Sequence, residues 1–196
     1  TCLDKDTVAL LTKRVYDIAG CNPTVRVFLN KRPIRLQGGF EAYVGLYLNR
    51  RRRAGPPVPH LFRQIDERWS VCVALGESGF EFQQVSFVNS VCTSSGGVHV
   101  NRVYESLWRK LAPFIDRKNR GGDKATSGHI AGHVWLFINC RLPKPAFDSQ
   151  TKEKLMSHGP VDGGALWQLP DDYVRQGVTP PSLGIPGGVP RPLLLM

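Results

Sequence analysis

Hydrophobic and polar positions follow two rhythms along this chain, and each rhythm predicts a different kind of element. Val8, Leu11, Val15 and Ile18 fall on one helical stripe, which predicts an amphipathic helix over residues 6–19 with Asp6 as its N-cap and Gly20 as its stop. Val25, Val27 and Leu29 then alternate with other residues. Thr24 to Asn30 therefore reads as a strand, turned by Asn30-Lys31 into a short partner at Ile34 to Leu36. Helical spacing returns at Phe40, Tyr43, Val44, Tyr47 and Leu48, an aromatic stripe that predicts core rather than a ligand box.

Leu61 to Ile65, Trp69 to Leu75 and Phe80 to Val88 are three further strands, and Gly76 and Gly79 mark the turn between the last two. An antiparallel meander is the expected arrangement. Val100, Val103, Leu107, Leu111 and Phe114 keep the 3.6-residue period, a helix of about five turns. Pro113 cannot donate the helical hydrogen bond and should kink or break it. The apolar run Val134 to Ile138 follows, so strand, helix and strand form a crossover whose strands lie parallel and connect right-handedly. The fold class predicted is α+β: a mixed sheet of four or more strands, a right-handed βαβ crossover and helices on one face. From Gly177 the chain is rich in Pro and Gly and ends in Leu193-Leu194-Leu195-Met196, a composition that predicts disorder.

Composition adds bounds. A chain of 196 residues, 41% hydrophobic, buries one core. Its 26 basic and 16 acidic residues leave a net charge of +10, which favours a polyanionic partner, whether DNA, RNA or acidic lipid. The five cysteines include no Cys-x-x-Cys pair and read as reduced core thiols of an intracellular protein, with no zinc site. No apolar run approaches a membrane span, so no membrane partner is expected. The start at Thr1 suggests a piece of something larger or a processed product.

Several stretches carry candidate chemistry. Arg50 to Arg53, followed by Ala54-Gly55-Pro56-Pro57, is an exposed loop whose arginines are either solvated or hold phosphates. Arg117-Lys118-Asn119-Arg120-Gly121-Gly122-Asp123-Lys124 sets cations at a helix C-terminus, where they either complement the macrodipole or contact phosphate. Gly96-Gly97 reads equally as an anion nest or as a tight strand-to-helix turn. His129 and His133 have metal-ligand spacing but no third ligand, so no metal is assigned. Pro145 to Glu153 is a polar loop just past the most apolar run, His133 to Cys140. Its Lys152 is either a solvated turn lysine or a cation aimed at an anionic ligand.

Asp148-Ser149-Gln150-Thr151-Lys152-Glu153, with Phe147 and Pro145 before it, resembles the glutamine-threonine-lysine switch loop in the transducer region of type II DNA topoisomerases. Val8 to Cys21 resembles the segment where the ATPase domain of the eukaryotic enzymes hands over to the transducer. Gln83-Gln84-Val85-Ser86-Phe87-Val88-Asn89-Ser90 and Gly96-Gly97-Val98-His99-Val100-Asn101 resemble the same family at the corresponding place. Arg117, Lys118 and Arg120 keep the basic character of its lysine-rich loop, whereas Asp116 departs from it. The likeness covers roughly residues 6–153, weakens near residues 50–60 and is faint at Leu169-Pro170-Asp171-Asp172-Tyr173-Val174.

The resemblance implies a GHKL transducer-like fold, with residues 1–22 as connecting helix from the ATPase domain and 23–153 as transducer. Residues 154–176 would be a diverged extension and 177–196 a tail. It implies part of an ATP-hydrolysing type II DNA topoisomerase, an isomerase. There Lys152 is catalytic and Gln150, Thr151 and Lys152 contact ATP, while Arg117, Lys118 and Arg120 contact DNA. ATP and Mg belong to the full enzyme and are held mainly by an upstream GHKL domain. No ligand is expected on the isolated chain, which is expected to be catalytically incomplete. DNA, that upstream domain, a downstream cleavage core and a homodimeric copy are the implied partners, and the nucleus the implied location. A stand-alone basic α/β nucleic-acid-binding module without ATP linkage is the alternative.

Overall fold

The computed structural model describes residues 3–51, 58–75, 82–118, 124 and 126–157. The arginine-rich segment beyond Arg51, the turn at Gly76 and Gly79, Cys2, Arg120 and the whole tail lie outside the described residues. So do the faintly matching residues 169–174.

Helix α1 spans Lys5–Cys21, and its N-cap is two residues earlier than expected, Asp4 rather than Asp6. Its carboxylate accepts from Thr7 N at 2.7 Å, which holds the Asp4 pKa below the usual carboxylate value. Gly20 is not the stop. It lies inside the helix where α1 crosses α2 (Phe40–Arg51), and a Cβ there would sit 2.6 Å from the Tyr43 Cβ and Cγ. The helix ends at Asn22, whose N–H and side-chain amide both donate to the Ile18 carbonyl. The predicted stripe is largely uncovered: Val8 is 48% and Leu11 53% exposed, while Asp17, Ala19 and Cys21 are buried.

Between these helices, β1 (Val27–Leu29) and β2 (Arg32–Ile34) pair antiparallel around Asn30 and Lys31. Both turn residues have positive φ, 49° and 66°, as a two-residue hairpin turn matching strand twist demands. Helix α2 buries Phe40, Tyr43, Val44 and Leu48 as its periodicity predicts.

The main sheet is made of β3 (His60–Gln64), β4 (Trp69–Leu75), β5 (Gln83–Val88), β6 (Val91–Cys92) and β7 (Val134–Cys140), in the order β3-β4-β7-β5-β6. The expected meander of the three strands does not form. Strand β7 separates β4 from β5, pairing antiparallel with β4 and parallel with β5. The physical reason lies in β7 itself. It is apolar on both faces, and the centre of a sheet is the one place where both faces of a strand are covered. The parallel crossover runs from β5 through helix α3 (Val98–Lys118) and the short helix α4 (Ser127–Ala131) to β7.

Helices cover both faces, not one. Val71, Leu136 and Ile138 pack with Val100, Val103 and Leu107 of α3, whereas Cys72, Ala74, Phe87 and Phe137 pack with Cys21, Tyr43 and Val44 of α1 and α2. Alternation along β4 and β7 sends neighbouring residues to opposite cores. Helix α3 continues through Pro113 without a break. One missing N–H costs a single intrahelical bond, and Ile115 beyond it is buried in the core.

Candidate functional site

Past β7 the chain bends at Lys144, φ 47°, and closes a loop whose base is pinned at Ala146. The Ala146 carbonyl accepts from Met156 N and Ser157 N at 2.9 and 3.1 Å, and Ala146 N donates to Ser157 Oγ at 2.9 Å. Phe147 faces Leu155 in an antiparallel bridge and packs with it on Val88 and Cys140. Inside the loop, Asp148 N donates to the Lys154 carbonyl at 3.1 Å and Lys152 N to the Ser149 carbonyl at 3.2 Å. The hydroxyls of Ser149 and Thr151 are 2.8 Å apart, and Asp148 Oδ1 accepts from Lys154 N and Ser149 Oγ. These bonds hold Lys152 in the left-handed region, φ 58°, which a non-glycine residue enters only under local constraint. Gln150, Thr151 and Lys152 are all exposed.

The far limb of the loop is fastened to the turn before α3. Ser95 N donates to the Glu153 carbonyl at 3.0 Å, Leu155 N to the Gly96 carbonyl at 3.0 Å, and Val98 N to the Leu155 carbonyl at 3.1 Å. Gly96 and Gly97 have φ of 69° and 131°, and a Cβ on Gly97 would lie 2.3 Å from the Leu155 oxygen. The glycine pair thus serves close backbone approach. The N–H groups of Gly96 and Val98 are already donated to the carbonyls of Thr93 and Leu155.

A buried polar cluster lies under this junction. Ser86 Oγ and Thr93 Oγ1 are 2.5 Å apart, Thr93 Oγ1 is 3.1 Å from His99 Nε2, and Gln84 Nε2 donates to the carbonyls of Thr93 and Ser94. Burial lowers the His99 pKa to about 4, so the ring is neutral near pH 7. Thr93 and Ser94 also wall a groove of about 350 Å³, closed on the other side by Leu10, Lys13 and Arg14 of α1 and by Tyr47. The lysine loop is therefore tied to the segment that faces α1.

Helix α1 is locked onto α2 by Asp17, which is 2% exposed and accepts from Tyr43 Oη at 2.6 Å, Lys13 Nζ at 3.0 Å and Arg14 Nη1 at 3.3 Å. Burial, reinforced by the bonds to Asp17 and Tyr47, pushes the Tyr43 hydroxyl pKa up, so it remains a donor. Burial alone would lower Lys13, but the bond to Asp17 together with the charges of Tyr47, Asp17 and Cys92 nearby outweighs it and the net shift is upward.

The expected DNA-contacting residues stand at the other end of α3. Arg117 is exposed, Lys118 is the helix's last residue, and Arg120 lies outside the described residues. The first turn of α3 is bonded to the lysine loop, so its 21 residues at about 1.5 Å each set the two expected sites roughly 30 Å apart. His133 is buried at the start of β7, and among the described residues no group of three or more His, Cys, Asp or Glu could hold a metal. Cys21, Cys72, Cys92 and Cys140 are free thiols, and burial raises the pKa of Cys21, Cys72 and Cys140.

Sequence reasoning missed the Asp17 hub and the packing role of Gly97. The lysine four residues before Asp17 was a visible signal for the first. Nothing local announced the second, since its partner is 58 residues away.

Comparison with known proteins gives a consistent picture. The family model described as DNA gyrase B matches residues 39–160. DNA topoisomerase 2-alpha of Homo sapiens is 40% identical over 179 residues, covering 90% of this chain and 11% of that protein. The chain thus spans about a tenth of the length of the curated relatives it matches. Among solved structures, the ATPase region of Saccharomyces cerevisiae topoisomerase II superposes with a TM-score of 0.74 at 33% identity, over 88% of this chain and 42% of that one. The ATPase and transducer domains of DNA topoisomerase II from Balamuthia mandrillaris give 0.76 at 33% identity, over 88% and 41%.

Proposed function

The chain belongs to the DNA gyrase B family, among sequences of eukaryotic type II topoisomerases, and from that premise we propose that it acts as the transducer segment of an ATP-dependent DNA topoisomerase. In this reading Lys152 presents its amine to the terminal phosphate of ATP held by a GHKL domain that precedes it. Gln150 adds a neutral donor beside it, and Thr151, bonded to Ser149, keeps the tip in shape. The observation that carries the reading is a stiff loop with a free end. Lys152 is exposed and its amine has no partner among the described residues, yet its backbone is held in a strained conformation by the bonds around it.

That arrangement suits the phosphate end of ATP. It supplies one cation and neutral donors, the groups that the oxygens of a terminal phosphate accept from. Bound ATP would supply the phosphoryl group and its magnesium the countercharge. What this chain contributes is a fixed ammonium where negative charge gathers during hydrolysis, and pre-placed charge needs no reorganisation at the moment of reaction.

The same contact serves as a switch. A ligand that touches Lys152 only in the docked arrangement favours that arrangement by its differential affinity. Docking then bears on the first turn of α3, and α3 ends at Arg117 and Lys118, which with Arg120 we assign to duplex DNA. The exposed face of α1 is the surface on which the preceding domain rests. A downstream cleavage core, a second copy of the chain and the nucleus complete the proposal.

The test joins this chain behind the ATP-binding domain of a relative. Lys152→Ala should lower ATP hydrolysis about a hundredfold or more while ATP and duplex binding persist. Unchanged hydrolysis would refute the role of Lys152 and leave a basic module that binds nucleic acid without nucleotide linkage.

A further inference from the structure

The β1–β2 hairpin carries Arg26, Lys31, Arg32 and Arg35, all exposed, and no acidic residue occurs from Asn22 to Phe40. None of these four cations forms an ion pair among the described residues. The register sets Val27 opposite Ile34 and Phe28 opposite Pro33. Val27, Leu29 and Ile34 are half-buried, whereas Phe28 and Pro33 face outward, with Phe28 53% exposed. One further step of the register places Arg26 opposite Arg35 at the base of the hairpin, and Lys31 and Arg32 occupy its tip.

Like charges directly opposed across a strand pair cost stability, and an outward aromatic ring between them adds an apolar cost in water. Among the described residues neither is offset, since no carboxylate forms an ion pair with any of these cations. A polyanion repays both.

We propose that the outer face of this hairpin is a second DNA-binding surface, which takes the phosphate backbone of duplex DNA. From Arg26 to Leu29, the last strand residue, is three steps, about 10 Å at roughly 3.3 Å per residue, and the turn carries Lys31 just beyond it. Over that length one strand of a duplex presents about three phosphates, spaced near 3.4 Å along the axis. Arg26 and Arg35 at the base and Lys31 at the tip match this run, with Arg32 on the opposite face beside Leu29, and the Phe28 ring packs on the sugar edge between them. The choice of duplex DNA as occupant rests on the topoisomerase reading. The site itself is separate from Lys152 and from the cations at the end of α3.

Binding of the 196-residue chain to a labelled duplex of about 30 base pairs, followed by fluorescence anisotropy between about 50 and 200 mM salt, tests the proposal. Arg26→Gln/Arg35→Gln should weaken binding and reduce the slope of log K against log salt by about 1.8, two contacts at about 0.9 each. Phe28→Ala should weaken binding severalfold at an unchanged slope, because it removes no charge. All these side chains are exposed, so thermal melts should match the parent chain and separate lost binding from lost folding. An unchanged slope in the double variant, with Arg117→Gln alone reducing it, overturns the hairpin site and leaves the topoisomerase reading standing. A chain that binds single strands more tightly than duplex, and loses that preference with Phe28→Ala, overturns the duplex assignment. Absence of any duplex binding overturns both this site and the assignment of Arg117 to DNA.

Discussion

His99 shows what a single buried side chain does to the behaviour of the whole. Its Nε2 meets Thr93 Oγ1, its Nδ1 has no partner among the described residues, and burial lowers its pKa to about 4 against an ordinary 6.5. The neutral ring is the form that the folded state keeps. Below pH 6.5 the unfolded chain takes up a proton that the folded chain refuses. Stability from this residue is therefore complete above about pH 6.5, is lost as pH falls toward 4, and changes no further below that. The loss amounts to about 3 kcal/mol across the window. Urea midpoints measured from pH 7.5 to 4 should fall more steeply for the parent chain than for His99→Gln, and parallel curves would show that His99 does not titrate this way. The comparison of slopes matters here, since the substitution also disturbs the Ser86–Thr93 pair and shifts both curves at every pH.

At the scale of elements, the crossing of α1 on α2 depends on one missing methyl group. An alanine at Gly20 would gain about 1 kcal/mol of helix propensity. Its Cβ, however, would meet three atoms of Tyr43 between 2.6 and 2.8 Å, and Tyr43 is clamped by Asp17 and by aromatic contacts with Phe40, Tyr47 and Phe87. Overpacking of a fixed ring costs about 1–3 kcal/mol, and contacts as short as these put the cost at the upper end, so Gly20→Ala should destabilise by up to about 2 kcal/mol net. A lower urea midpoint with an unchanged m-value checks this, and a higher midpoint would mean the helices part easily. This glycine also marks the limit of what periodicity conveys. The stripes on α2 and α3 were legible because each helix covers a sheet face along most of its length. On α1 the stripe was legible too, yet most of it lies open, because its exposed residues belong to a surface that the fold itself does not cover. The sheet order was not legible at all. Each strand was visible in its own alternation, but pairing is decided by which strand is apolar on both faces, and β7 enters between β4 and β5 from far along the chain. The lysine loop was found through its motif, whereas its fastening through Gly97 was not, because that bond pattern needs Leu155 to be in place.

Seen as a whole molecule, the lysine loop, α3 and the sheet form one mechanical path. The loop's far limb is bonded to residues 95–98, α3 starts at Val98, and its buried face packs across β4 and β7 to the basic residues at its C-terminal end. A movement imposed on Lys152 reaches α3 only if the Gly97–Leu155 junction holds. Gly97→Ala attacks that junction. Its φ of 131° disfavours any side chain, and the atoms that the new Cβ would meet are backbone, which cannot swing aside. In the joined protein that carries an ATP-binding domain, a shift of about 1 Å in the amine of Lys152 would cost hydrolysis about a hundredfold. Loss of activity alone would not separate this variant from Lys152→Ala. Hydrogen exchange does: Gly97→Ala should speed exchange at the amides of Ser95, Val98 and Leu155 while those of β4 and β7 stay protected, whereas Lys152→Ala should leave all of them slow. If Gly97→Ala frees those amides and hydrolysis is undiminished, the loop acts without its fastening, and the path from nucleotide to α3 does not run through this junction.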